Sequence, residues 1–136
     1  MLLLDTCTLL WLVSDRGQLS PAAASAIDQA REVFVSSVSA FEIGTKYRQG
    51  KLPLALAPRD WWAAASARLE LTELPITAQV AFASTSLPTQ LVVEGRTVDH
   101  RDPGDRFIVA TASLHGLAIV TPDAKIAAYP GASVCW

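Results

Sequence analysis

The feature that most constrains the fold of this chain is a set of short, uniformly apolar runs, each closed by a polar residue. Leu2-Leu3-Leu4 runs into Asp5-Thr6, Val33-Phe34-Val35 into Ser36-Ser37, and Leu117-Ala118-Ile119-Val120 into Thr121. None of them alternates apolar with polar residues. A strand with one wet face alternates, whereas a strand buried on both faces does not. Helical patterns lie between the runs. Leu9, Leu10, Leu12 and Val13 mark a first helix that ends near Ser14-Asp15. Ser20-Pro21 opens a second, with serine suited to the N-cap and proline to the first helical position. The segment Ser-Ser-Val-Ser-Ala-Phe-Glu opens a third, which reaches about Gly50 and ends in Lys and Arg, as the helix dipole favours. Further helices are expected over residues 59–70 and 77–86. The clearest helix runs from Pro103 to His115: Phe107, Ala110, Thr111 and Leu114 share one face, and Gly116 stands where a helix-ending glycine belongs. Short strands are expected at residues 71–74 and, on an edge, at 132–136. Strands separated by helices imply an α/β fold whose parallel sheet is covered on both faces.

A chain of 136 residues fits one domain, expected over residues 1–136. Its 51% hydrophobic and 18% charged residues supply enough apolar surface to offset the entropy of ordering, which excludes a disordered chain. Two cysteines, Cys7 and Cys135, are too few for a disulfide scaffold and read as small buried residues of a reducing compartment. The opening MLLLDT has no basic leader. The longest uncharged stretch, Leu74 to Val93, is broken by Pro75, Pro88, Gln79 and Gln90 and cannot supply the ~20 apolar residues of a membrane span. The expected location is the cytoplasm, with no membrane partner. The net charge of −2, without a basic run, gives no bulk electrostatic sign of nucleic-acid binding.

Four acidic residues fall at or near strand and helix ends, where open parallel sheets bind ligands. Asp5 ends the first strand, Glu42 lies early in the third helix, Asp105 lies in the first turn of the 103–115 helix, and Asp123 follows the 117–121 strand. Each has an ordinary explanation taken singly. Asp5 can cap a helix. Glu42 can close a capping box with Ser39 or pair with Lys46 one turn on. Asp105 can occupy the third helical position behind an Asp102 cap, and Asp123 can serve a turn. Together on one rim they would crowd like charges, which raises carboxylate pKa values and is tolerated mainly when a cation neutralises it. Hard oxygen ligands suit Mg2+ or Mn2+, whereas zinc is disfavoured by the lack of any Cys/His set. Such an ion can acidify bound water and clamp phosphodiester oxygens. The residues alone therefore point to a small α/β metal-dependent phosphoryl-transfer or hydrolysis domain.

The same segments resemble the PIN-domain nucleases, in particular the VapC-type toxins of bacterial toxin–antitoxin pairs. Leu-Leu-Leu-Asp-Thr-Cys, Ser-Ala-Phe-Glu-Ile-Gly-Thr-Lys, His-Arg-Asp-Pro-Gly-Asp-Arg-Phe-Ile-Val-Ala-Thr-Ala and Leu-Ala-Ile-Val-Thr-Pro-Asp carry the likeness, in order, across nearly the whole chain. The resemblance implies a three-layer α/β/α sandwich around a mostly parallel sheet of about five strands. It implies an endoribonuclease using Mg2+ or Mn2+ held by Asp5, Glu42, Asp105 and Asp123. Asp102 either orients a metal-bound water or only caps its helix. Thr6 and Thr121 match hydroxyls beside the family's metal site, or are helix-start and strand-end hydroxyls. RNA substrate, a VapB-like antitoxin, a homodimer and a toxin–antitoxin hetero-oligomer are the implied partners.

Lys46, Arg48 and Lys51, with Arg101 and Arg106, are the expected phosphate contacts, each equally readable as a solvated or ion-paired surface charge. Trp11, Trp61 and Trp62 are either groove or dimer aromatics or core side chains. His100 is expected in an exposed loop, with substrate contact as the other reading, and His115 at a helix end partners the dipole. Gly104 stands where the family commonly has a bulky residue and is expected to loosen the helix start, since glycine costs ~1 kcal/mol against alanine in a helix interior. Two enzyme rivals fit less well. A haloacid-dehalogenase-like phosphatase needs D-x-D-x-T where the chain reads Asp5-Thr6-Cys7-Thr8. A receiver domain needs an acidic pair after its first strand and a mid-chain acceptor Asp, and Asp60 lies in a helix-like context instead. A catalytically inactive RNA- or peptide-binding module of the same fold is the alternative from another class.

Overall fold

A computed structural model describes residues 1–136. Five parallel strands form the central sheet in the order β3-β2-β1-β6-β7, where β1 is Leu2–Leu4, β2 Val33–Ser36, β3 Thr72–Leu74, β6 Ala118–Val120 and β7 Val134–Cys135. The apolar runs become the central strands. Every residue of β1 is buried, and successive side chains point to opposite faces. Leu2 and Leu4 join a core with Leu9, Leu12, Ala23, Trp61 and Ala65, while Leu3 joins a second core with Val38, Ile108, Val109 and Ala112. The sheet is thus covered on both faces, and the expected three-layer α/β/α arrangement holds.

The helices are α1 (Thr6–Ser14), α2 (Pro21–Gln29), α3 (Ser37–Arg48), α4 (Pro58–Arg68), α5 (Ala78–Ser86), α6 (Pro103–His115) and α7 (Ala124–Ala127). Ser20 caps α2 through the Ala23 N–H with Pro21 next to it, and Gly116 closes α6 in the left-handed region at φ 62°. No helix is long and apolar enough to cross a membrane.

An antiparallel hairpin of β4 (Gln90–Val93) and β5 (Arg96–Asp99) lies outside the sheet and was not expected. Val93 pairs with Arg96, so its loop is Glu94-Gly95, both at positive φ (50° and 77°). That is the backbone of a tight two-residue hairpin turn, which favours Asn-Gly or Asp-Gly. Glutamate in the first position hides the signal. The short α7 was also unforeseen; at four residues it has no periodicity to read.

Two expectations about aromatic and capping residues resolve here. Trp61 is a core side chain, Trp62 donates its indole N–H to Glu73 at 3.0 Å, and Trp11 packs on Trp136 with ring centroids 5.8 Å apart. The N-cap of α3 is Ser36, whose hydroxyl accepts the Val38 N–H, so the capping box between Ser39 and Glu42 does not form. The chain turns from strand to helix three residues earlier than that pattern requires.

Candidate active site

The strand register builds the site. Leu4 lies opposite Val120 in the parallel pair of β1 and β6, so Asp5 and Thr121 leave the sheet side by side. These strands flank the point where the strand order changes direction, the usual position of a ligand crevice in an open parallel sheet. Asp5 is 7% exposed and well supplied with donors. Its Oδ1 accepts the Thr6 N–H at 2.6 Å as the cap of α1, and its Oδ2 accepts the Thr121 hydroxyl at 2.7 Å and the Cys7 thiol at 3.2 Å. Burial and the neighbouring carboxylate push the Cys7 thiol up to about 12, so it stays protonated. Thr6 turns instead to Ser39, its hydroxyl donating at 2.8 Å and joining α1 to α3.

Glu42 and Asp105 face a different environment. Glu42 Oε1 is buried without a hydrogen-bond partner. Burial, and then the charge of Asp5, raise the Glu42 carboxyl to about 7; Asp105 and Asp102 add to the rise, and Lys46 opposes it. Asp105 rises to about 6, through burial first and then the charges of Asp102, Asp5 and Asp123, against a lowering by His100. Asp102 caps α6, accepting the Asp105 N–H at 3.0 Å. Asp123 caps α7, accepting the Lys125 N–H at 2.7 Å, while its own N–H donates to the Thr121 hydroxyl at 3.1 Å.

Several expectations need correction. His100 is not an exposed loop residue: it is 6% exposed, with Nε2 2.9 Å from Asp105 Oδ2. The unforeseen hairpin carries it inward. Arg106 is no free phosphate contact, because its guanidinium donates to the carbonyls of Ser84, Leu87 and Pro88 at 2.7–2.9 Å, tying α6 to the end of α5. Arg101 is exposed and paired with Asp99 at 2.8 Å, while Lys46 and Arg48 are exposed and outside the ion pairs. Gly104 does more than loosen a turn. A Cβ there would lie 2.5 Å from Glu42 Oε1 and 3.1 Å from Asp102 Oδ1, so the missing side chain is what lets the Glu42 carboxylate lie against α6. Ser39 and Gly104 make site contacts that sequence reasoning did not foresee, while His100, read as an exposed loop residue with substrate contact as the other reading, meets Asp105 instead. The His-Arg-Asp motif was a signal for the histidine; only packing reveals the other two.

No three His, Cys, Asp or Glu side chains stand in ready-made ligating geometry. The donor chemistry nevertheless fits a hard divalent cation. Four carboxylates supply the ionisable oxygens, one of these oxygens is buried without a donor, and burial followed by mutual repulsion raises two of the carboxyls.

A family model described as the PIN domain matches residues 2–132. The chain belongs to the PIN-domain family. All the acidic residues above lie within the matched PIN segment. Ribonuclease VapC22 of Mycobacterium tuberculosis is 32% identical over 124 residues, covering 91% of this chain and 88% of that protein. The PIN fold of this chain also matches solved structures. One is VapBC2 from Rickettsia felis bound to a DNA fragment from their promoter, at TM-score 0.65, 16% identity and coverage of 98% of this chain and 96% of that one. Another is DNA-bound VapBC from Salmonella typhimurium, at TM-score 0.63, 18% identity and coverage of 98% and 95%.

Proposed function

We propose that this PIN domain is a metal-dependent endoribonuclease, the toxin of a toxin–antitoxin pair, acting in the cytoplasm. The observation that carries the reading is geometric: β1 and β6 deliver Asp5 and Thr121 side by side, and Gly104 lets Glu42 lie against the helix start that bears Asp105. The charge of Asp5 accordingly adds to the upward shifts that burial gives Glu42 and Asp105. Likeness to a protein named a ribonuclease supports RNA as the substrate class.

In this reading Asp5, Glu42, Asp105 and Asp123 hold Mg2+ or Mn2+. The ion, when bound, supplies an acidified water and offsets charge at the phosphate. The Thr121 hydroxyl and the Thr6 N–H orient Asp5, while the Asp102 cap and the Arg106 clamp fix the first turn of α6 beneath Asp105. Lys46 and Arg48 on α3 are the proposed phosphate contacts, with Arg101 a weaker candidate because Asp99 already engages it. Binding should therefore weaken with salt. A VapB-like antitoxin and a second copy of the chain complete the proposed assembly. Phe41 and Phe82, 71% and 75% exposed, offer apolar surface on α3 and α5 for such pairing.

The test is cleavage of RNA by the purified chain, free of any antitoxin. Mg2+ or Mn2+ should support cleavage, EDTA should stop it, and Asp5→Asn should lose it while still binding RNA. Equal cleavage by Asp5→Asn removes the mechanism; binding without cleavage by the wild type favours the inactive module.

A further inference from the structure

His100 has a role that the carboxylate reading leaves unassigned, and three elements converge to fix it. Its backbone N–H donates to the Thr89 carbonyl at 2.7 Å, just beyond the β4–β5 pairing. Its ring packs at a tilt on Tyr129, with centroids 6.0 Å apart, on the segment after α7. Its Nε2 lies 2.9 Å from Oδ2 of Asp105 on α6. An ionised carboxylate only accepts, so Nε2 carries the proton and donates. Asp105 is then held twice, its backbone N–H by Asp102 and its Oδ2 by His100, and no protein donor reaches Oδ1.

We propose that His100 is a positioning residue, fixing one oxygen of Asp105 so that the other is presented to a divalent cation. The inference rests on the carboxylate reading above. A buried imidazole could also serve packing alone. The two roles differ in what a ring without a donor would do. His100→Phe keeps the contact with Tyr129 and removes the hydrogen bond, whereas His100→Gln keeps an N–H donor and loses the ring.

The experiment is calorimetric titration of the purified full chain with Mn2+, beside thermal melts without metal. Partners that orient metal ligands typically contribute 10–100-fold in affinity. His100→Phe should therefore bind Mn2+ roughly 10–100-fold more weakly at an almost unchanged melting temperature, and His100→Gln should recover most of the loss. Wild-type affinity in His100→Phe overturns the proposal while leaving the carboxylate site standing. A wild-type chain that binds no Mn2+ overturns the carboxylate reading and this inference with it. If His100→Phe does not fold, His100→Ala with added imidazole replaces it: restored Mn2+ affinity supports positioning, and none contradicts it.

Discussion

The two walls of the crevice treat the same chemical group in opposite ways. On the wall formed by β1 and β6, Asp5 receives a backbone N–H, a hydroxyl and a thiol. On the wall formed by α3 and α6, Glu42 keeps a buried oxygen with no donor, and Glu42 and Asp105 are both pushed upward. The difference follows from position. Asp5 stands at a helix N-terminus, where orphan N–H groups point at it. Glu42 lies six residues past the Ser36 cap, where the N–H groups of α3 are already bonded within the helix. One wall satisfies its anion from within the fold; the other holds carboxyls that burial and neighbouring charge push toward protonation, and these are the groups that the proposed cation would balance.

The largest expected effect breaks the satisfied wall. Asp5→Asn keeps an oxygen to cap α1 but removes the charge, so RNA cleavage should fall by at least ~100-fold, beyond the loss typical of a partner that only orients a ligand. Circular dichroism should show the fold retained. Glu42→Gln probes the other wall and should behave in the opposite sense on stability. Without metal its melting temperature should hold or rise, because repulsion with Asp5 and Asp105 is relieved, while Mn2+ affinity falls roughly tenfold or more. A marked metal-free destabilisation would mean that Glu42 serves the fold rather than a cation.

A pH series sharpens the contrast. Glu42 rises from 4.5 to about 7 and Asp105 from 3.8 to about 6 on folding. The folded state therefore holds more protons than the unfolded state between these values, and stability falls as pH rises through them. The contribution is fully present below about pH 4 and gone above about pH 7. Metal-free melting temperatures should decline across that window, Glu42→Gln should flatten the decline, and saturating Mn2+ should reverse it. The smallest effect is expected at Gly104. Gly104→Ala adds helix propensity worth up to ~1 kcal/mol, yet its Cβ would meet Glu42 Oε1. The Glu42 carboxylate is the flexible end and should swing away, so the melting temperature should hold while Mn2+ affinity drops. An unchanged affinity would show that Glu42 can act from its displaced position.

The better-satisfied wall was also the easier one to read in the sequence. Asp5 and Thr121 each end an apolar run, so strand register alone brings them together. On the other wall only the local start of α6 was legible: Asp102, Pro103 and Asp105 read as cap, first and third helical positions, as found. What escaped was contact made across elements with no local signature. Glu94-Gly95 lacks the usual turn chemistry, so the hairpin went unseen, and with it the burial of His100. Arg106 looked like a surface cation because nothing in the sequence says that the end of α5 lies beneath it. Gly104 looked like a defect because the carboxylate that fills its missing side chain comes from a helix sixty residues earlier.

The most direct measurement is anomalous scattering from a crystal of the wild-type chain grown or soaked with Mn2+. A manganese peak lying among Asp5, Glu42, Asp105 and Asp123, with carboxylate oxygens turned toward it, is the predicted result. Manganese absent from that crevice at saturating concentration, with Glu42 and Asp105 protonated or turned to solvent, would contradict it.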